Sequence, residues 1–281
     1  MTFSGVGMTA KMTAAGRAQE SRRPDRLFDD PLAQALAGAD GFRWMAEMRP
    51  PGAPPENPSI GPRTWFFDQL IGRAAGDGSR QVVLLAAGMD TRAFRLPLPA
   101  GTIVYELDDP AVLADKQAIL DREQAVPQCT RRPVAADLAG PRWPAALAAA
   151  GFDPGAPAVF VAEGLSWYLP EQAVALLLDR TAVIAAPGSR LGVDMISAVA
   201  LANPAAAPYY ALAAARGARW QFGTDDPGGF LAAHGWQADV HDMYAVARGL
   251  GRWPPPGVPG VIADRAAAAS PNWFIDATRL A

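Results

Sequence analysis

The chain is short of the residues that most metal and thiol chemistry needs. It has one cysteine, Cys129, and two histidines, His234 and His241, in 281 residues. A single thiol closes no intrachain disulfide, and so few nitrogen and sulfur ligands make a zinc cage improbable. Lysine is nearly missing too: Lys11 and Lys116 stand alone, and arginine supplies the rest of the 25 basic residues against 28 acidic ones. The formal charge of −3 leaves no basic excess to neutralise a phosphate backbone, so no nucleic-acid partner is expected. No stretch approaches the roughly 18 uninterrupted apolar residues of a membrane-spanning helix. Met1 to Gln19 lacks the apolar run of about 7–15 residues that a secretory leader carries. These features together predict a cytoplasmic protein with no membrane contact. Gly-x-Ser-x-Gly does not occur, which disfavours a serine hydrolase of the nucleophile-elbow type.

What is present is apolar. Half of the residues are hydrophobic and 19% are charged, enough for one sizeable core and a single domain over 1–281. Residues 1–28 are polar and arginine-bearing and read as partly helical. Asp29-Asp30-Pro31 reads as a helix start, an acid to cap and then proline in the first turn. Pro50 to Pro62 reads as a proline-rich loop and Arg63 to Ala75 as a helix. From Gln81 the pattern changes to short, nearly continuous apolar runs: Gln81 to Ala87, Thr102 to Leu107, Arg132 to Ala136, Pro157 to Ala162 and Arg190 to Ile196. Helical stretches alternate with them, including Pro170 to Ile184. That alternation predicts βαβ units, a parallel sheet buried on both sides, and helices on both faces. Ala198 to Arg219 reads as a helical pocket cover, Gly228 to His234 as a helix, Ala238 to Ala247 as a sixth strand and Asn272 to Leu280 as the last.

Open parallel sheets bind ligands at the carboxyl ends of their strands. After the first run comes Ala87-Gly88-Met89-Asp90-Thr91-Arg92, where a glycine lets backbone approach a ligand closely. After the second come Glu106 and Asp108, acceptor-only groups suited to a ribose diol. After the third come Asp137 and Leu138, an acid and an apolar side chain that suit an adenine edge and face. After the fourth come Glu163-Gly164 and then Trp167 and Tyr168. Each segment alone also reads as a turn or a helix cap. In series they describe a site for an adenosine-type ligand. The dinucleotide fingerprint Gly-x-Gly-x-x-Gly is absent, which counts against a nicotinamide-dependent oxidoreductase.

The run from Leu84 to Leu96, with Ala87-Gly88-Met89-Asp90-Thr91-Arg92 at its centre, resembles the first motif of the leucine carboxyl methyltransferase-like group of class I S-adenosylmethionine-dependent methyltransferases. Asp30-Pro31, Arg63-Thr64, Glu106-Leu107-Asp108 with Pro110 and Lys116, and Glu163-Gly164-Leu165 with Tyr168 match in order, over roughly residues 13–200. The resemblance implies a Rossmann-like α/β fold with a seven-stranded, mostly parallel sheet whose last strand, Trp273 to Arg279, is antiparallel. It implies an N-terminal helical cover over 1–76 and a variable acceptor-pocket cover at about 198–225. Arg63 would pair with the methionine carboxylate, and Gly88 would give backbone access. Asp108 would bind the ribose with Glu106 beside it, Asp137 and Leu138 would flank the adenine, and Glu163 would lie near the sulfonium and amino group. One position departs from the pattern: glycine is usual where Ala86 stands.

The implied reaction is O-methyl transfer from S-adenosylmethionine to a carboxylate of a small molecule or a peptide, in secondary metabolism by family habit, with hydroxyl or phenol methylation as the alternative. A carboxylate acceptor, already ionised at neutral pH, needs no base, in keeping with the lack of a catalytic dyad in the sequence. A hydroxyl or phenol acceptor needs one, and His234 and His241 are the candidates. A cofactor-binding protein without catalysis is a third reading. Trp44, Trp65, Trp167, Tyr168, Tyr209, Tyr210 and Trp220 are candidates to line the acceptor pocket.

Overall fold

In the computed structural model, which describes residues 5–49 and 57–280, three helices precede the sheet: α1 (Gly5–Ser21), α2 (Ala33–Met48) and α3 (Ile60–Gly76). Next come β1 (Gln81–Leu85), the short α4 (Arg92–Arg95), β2 (Ile103–Asp108), α5 (Pro110–Arg122) and β3 (Thr130–Ala135). They are followed by α6 (Trp143–Ala149), β4 (Ala158–Ala162), α7 (Glu171–Ile184) and β5 (Arg190–Ile196). The last part holds α8 (Ala198–Leu201), α9 (Ala207–Ala215), α10 (Pro227–Ala233), β6 (Trp236–Asp242), α11 (Met243–Gly249), α12 (Gly260–Ala269) and β7 (Asn272–Arg279).

The strands form one sheet of seven in the order β3-β2-β1-β4-β5-β7-β6. β1 to β5 are parallel, and β7 lies antiparallel between β5 and β6. The winding reverses between β1 and β4, so a crevice opens above their carboxyl ends, where open α/β sheets bind ligands. The apolar runs have no polar alternation because both faces are covered. Val82 and Leu84 of β1 pack with Phe66, Phe67, Leu70 and Ile71 of α3. Val83 and Leu85 point the other way, into a core shared with Trp143 and Leu147 of α6 and with Leu177 and Leu178 of α7.

Several local expectations change. Asp30 is not a helix cap: its buried carboxylate takes the Arg17 Nε–H at 2.8 Å and the Thr91 hydroxyl at 2.6 Å. Arg17 also donates to the Met89 carbonyl, so a salt bridge with its hydrogen bonds fixed pins α1 onto the turn after β1. The 50–56 part of the expected proline loop lies outside the described residues, and Pro62 sits in the first turn of α3. The single helix expected over Ala198 to Arg219 is two, since Pro204 follows α8 and cannot donate to continue it. The sixth strand starts at Trp236 and ends at Asp242, whose side chain takes the Ala245 N–H and caps α11. Helix α12 was not foreseen behind its prolines.

Glu106 and Lys116 are both fully buried, with Nζ 2.8 Å from Oε2, and Arg131 of β3 donates to the same oxygen at 2.8 Å. This triad ties α5 to β2 and β3. Glu106→Gln is expected to cost about 1–3 kcal/mol of stability, because two buried cations lose their counter-charge while an acceptor oxygen remains. In urea unfolding the midpoint should fall, and an unchanged midpoint contradicts the account.

Candidate functional site

The crevice over β1, β2 and β4 is a cavity whose floor is Leu84 to Asp90 and whose sides include Asp108, Glu163 and Arg63. Thr9, Ala10, Thr13 and Arg17 of α1 close it from above. The turn after β1 is tight. Gly88 has φ +48, and a Cβ placed on it would lie 2.8 Å from the Ala10 Cβ, so this position excludes a side chain on two counts. Ala86 also has a left-handed φ of +62. A Cβ there crowds the carbonyl, which explains why glycine suits the position. Ala86→Gly is therefore expected to raise stability by about 0.5–1 kcal/mol, relief of the left-handed strain outweighing the extra entropy of unfolded glycine. A thermal melt measures it, and an unchanged or lower midpoint contradicts it.

Asp108 ends β2 with its carboxylate over this turn. Oδ2 takes the Gly88 N–H at 2.6 Å and Oδ1 takes the Asp109 N–H at 2.7 Å. Burial pushes its carboxyl above the usual range, although both N–H groups and Lys116 pull it back. Deeper in the crevice is an interlocked set of charges. Arg92 donates to Asp68 at 2.7 Å, to Asp90 at 2.5 Å and to Glu163 at 2.8 Å. Arg63 donates from Nε to Glu163 at 3.0 Å and faces Asp194 from Nη1 at 3.4 Å. Burial alone would raise Glu163, but Arg92 and Arg63 overcome it and hold the carboxyl below its ordinary value.

A second cavity of about 330 Å³ adjoins the first. Thr9, Thr13, Arg63 and Gly164 line both. Its wall is aromatic: Trp167, Tyr168, Tyr209, Trp220, Tyr244, Trp253 and Trp273. Trp167 and Trp220 lie with centroids 5.1 Å apart, and Tyr209 meets Trp220 edge-on at 5.6 Å. Asp194 of β5 is the acid on its lining, and Arg63 is the base.

The sequence-derived candidates divide clearly. Arg63, Gly88, Asp108 and Glu163 line the first cavity, and Trp167, Tyr168 and Tyr209 line the second. Glu106 is the acid of the buried triad with Lys116 and Arg131, outside the lining of either cavity. Leu138 is packed in the core on the α6 and α7 side. Asp137 is exposed and takes the N–H of Ala139 in its own turn. Neither residue 137 nor residue 138 lines the cavity, because β3 stops at Ala135, at the edge of the sheet. Tyr210 meets Trp220 at a tilt, with centroids 5.1 Å apart, and donates to the Ala200 carbonyl at 3.0 Å. Trp65 lies by a surface groove beside α4, and Trp44 under Arg216. His234 pairs with Asp179 at 2.7 Å, and His241 with Asp239 at 3.3 Å beside Phe66; neither lines a cavity described here. Asp194, Tyr244, Trp253 and Trp273 were not singled out from the sequence. Among the described residues no cluster of three or more His, Cys, Asp or Glu could hold a metal, and no helix is long and apolar enough to cross a membrane.

Known proteins bear on this geometry. "Putative S-adenosyl-L-methionine-dependent methyltransferase SCO7813" of Streptomyces coelicolor is 45% identical over 260 residues, 89% of each chain. A Frankia alni relative with the same kind of name, FRAAL3718, is 42% identical over 265 residues, covering 89% of this chain and 88% of its own. Among solved structures, a DUF574 family protein of Streptomyces avermitilis superposes with a TM-score of 0.61 at 14% identity, over 96% of this chain and 97% of that one. A "putative methyltransferase" of Thermobifida fusca superposes with a TM-score of 0.59 at 16% identity, over 95% and 94%. The family model described as leucine carboxyl methyltransferase matches residues 10–182, from within α1 to most of α7, which take in the floor of the first cavity with Arg63, Asp108 and Glu163. On that match and those identities, this chain belongs to the leucine carboxyl methyltransferase family.

Proposed function

We propose that the protein is an S-adenosylmethionine-dependent O-methyltransferase acting on a small molecule or on one group of a peptide. The observation that carries this reading is the pair of abutting cavities, one built on the adenosine-type crevice and the other aromatic, joined along Thr9, Thr13, Arg63 and Gly164. A methyl donor in one and an acceptor in the other meet across that seam. The residues fit such a donor. Gly88 leaves room where a Cβ would touch Ala10, and Asp108 retains acceptor capacity beyond its two N–H partners for a ribose diol. Arg63 supplies the guanidinium for the methionine carboxylate, and Glu163 the carboxylate for the amino group. We extend the proposal to α1, α2 and α3 as a cover over one single domain, with α8 and α9 as the acceptor-side cover.

When bound, S-adenosylmethionine supplies an electrophilic methyl on a sulfonium. The chain's part is to align the acceptor oxygen with it, in line, and to keep water out. The aromatic wall of the second cavity does both. Its volume of about 330 Å³ takes a compact organic molecule or a single side chain or terminus. Carboxylate and hydroxyl acceptors differ in one requirement only, a base.

Calorimetric titration with S-adenosylhomocysteine and, separately, with NAD tests the class. Binding of the first and none of the second is expected. Binding of NAD alone would overturn the methyltransferase reading.

A further inference from the structure

We infer that Asp194 makes this site prefer a cationic donor to its neutral product. It is the acid left over at the end of a buried ion-pair network, and its charge complements the sulfonium of S-adenosylmethionine, which S-adenosylhomocysteine lacks. The inference rests on the methyltransferase reading above and deepens it.

The network runs unbroken from α1 to β5. Arg17 pairs with Asp30, Asp30 faces Arg95 at 3.9 Å, Arg95 pairs with Asp68, and Asp68 with Arg92. Arg92 goes on to Asp90 and Glu163, Glu163 to Arg63, and Arg63 to Asp194. Among the described residues this chain of pairs joins four arginines to five acids, one negative charge in excess. None of the nine side chains is more than 14% exposed, so water does little to offset that charge. The separate Glu106 triad has one cation to spare, but Lys116 acts on Asp108 and Asp90.

The excess falls on Asp194. Burial alone would raise Asp30, Asp90 and Glu163, but their arginines hold all three below the ordinary carboxyl range. At Asp194 burial wins over Arg63 and lifts the carboxyl to about 6. Arg63 sits at 3.4 Å from Asp194 and closer, at 3.0 Å, to Glu163. The other groups that face Asp194 bring no positive charge. They are Glu163 and Tyr168 after β4, Tyr209 of α9 and Tyr244 of α11, and the residue opposite on β7 is Phe274. Burial pushes the phenols of Tyr209 and Tyr244 above their usual range, so both stay neutral.

The position of the carboxylate suits a cation at the seam. Oδ1 takes the Gly164 N–H at 2.7 Å and Oδ2 takes the Arg63 Nη1–H at 3.4 Å. Gly164 and Arg63 are two of the four residues that line both cavities. Asp194 is thus fixed through both oxygens beside the place where donor and acceptor meet. The amino-acid end of the donor would bring a carboxylate to Arg63 and an ammonium to Glu163, no net charge, so the surplus at Asp194 remains for the sulfur. Opposite charges at close range under a water-poor roof attract far more than in bulk water.

Calorimetry with three ligands tests this: S-adenosylmethionine, S-adenosylhomocysteine, and sinefungin, whose carbon bearing an ammonium stands where the methylated sulfur would. All three share the nucleoside and the amino-acid end, so ratios of affinity isolate the charge at that centre. At pH 7.5 each cation should bind the wild type at least about tenfold more tightly than S-adenosylhomocysteine. The advantage should shrink as the pH falls through about 6, because a protonated Asp194 offers no charge. Below that value a bound cation should expel the Asp194 proton, which appears as a binding heat that varies with the buffer. Asp194→Asn keeps an oxygen for the Gly164 N–H, and its ratio should fall about tenfold or more and stay level from pH 5 to 7.5. A smaller wild-type ratio, a wild-type ratio that ignores pH, or a full preference in Asp194→Asn overturns the inference while S-adenosylhomocysteine binding stands. Should the variant fail to fold, the wild-type pH profile and the expelled proton decide. Binding of none of the three to the wild type brings down the methyltransferase reading, and this one with it.

Discussion

Asp108→Ala should bind S-adenosylhomocysteine at least about 100-fold more weakly than the wild type, a loss of about 3 kcal/mol or more. Two terms add up to it. A ribose diol donating to a carboxylate makes charge-assisted bonds worth about 1.5–3 kcal/mol each, and both vanish with the side chain. The Gly88 N–H, held by Oδ2 at 2.6 Å, also loses its partner, which loosens the turn that the nucleoside would rest on. Calorimetry gives the affinity, and far-ultraviolet circular dichroism shows whether the sheet is intact. A folded variant with wild-type affinity would remove the ribose assignment. Asp108→Asn should lie between the two, since an amide keeps one acceptor oxygen but loses the charge.

Arg92→Met should destabilise the fold by about 3–5 kcal/mol, the cost of removing one partner from a buried ionic network. Arg92 is 2% exposed and bridges Asp68, Asp90 and Glu163. Burial would raise Asp90 and Glu163, but Arg92 first, with other cations, holds both below their usual values. In the wild type these two acids therefore contribute stability at neutral pH that is lost as the pH falls through their folded values. In Arg92→Met burial dominates, so their folded values rise. The deficit is then largest at neutral pH and shrinks on acidification, as the stranded carboxylates take up protons. Urea unfolding at neutral and at mildly acid pH measures both numbers. A deficit below about 1 kcal/mol, or one that grows on acidification, contradicts the account.

The strands were legible because they are short apolar runs buried on both faces, and Arg190–Ile196 was bounded correctly to the residue. The crevice was legible for a related reason: in a parallel sheet the residues just past each strand converge, as Gly88, Asp108 and Glu163 do. Glu106 misled because strand neighbours two apart share a face. It lies about 6.6 Å further from the strand end than Asp108, deep enough to reach Lys116 instead of the crevice. Asp194 gave no local signal, because one acid inside an apolar strand resembles any satisfied buried carboxylate until its neighbours are known. Tyr244 and Trp253 pair within one stretch after β6, and Trp273 joins their side of the cavity only because β7 inserts between β5 and β6. The Ala238 to Ala247 boundary failed because a cap, an interaction across three residues, outweighed weak alternation.

The attachment of α1 has a practical consequence. Arg17, through Asp30, Thr91 and the Met89 carbonyl, clamps this helix over the turn after β1, and the same helix contributes Thr9 and Thr13 to the seam. A shortened recombinant version that begins at the sheet would thus surrender the ceiling of both chambers at once. Affinity tags and fusion partners are better joined at the other terminus, where β7 ends well away from that ceiling in sequence.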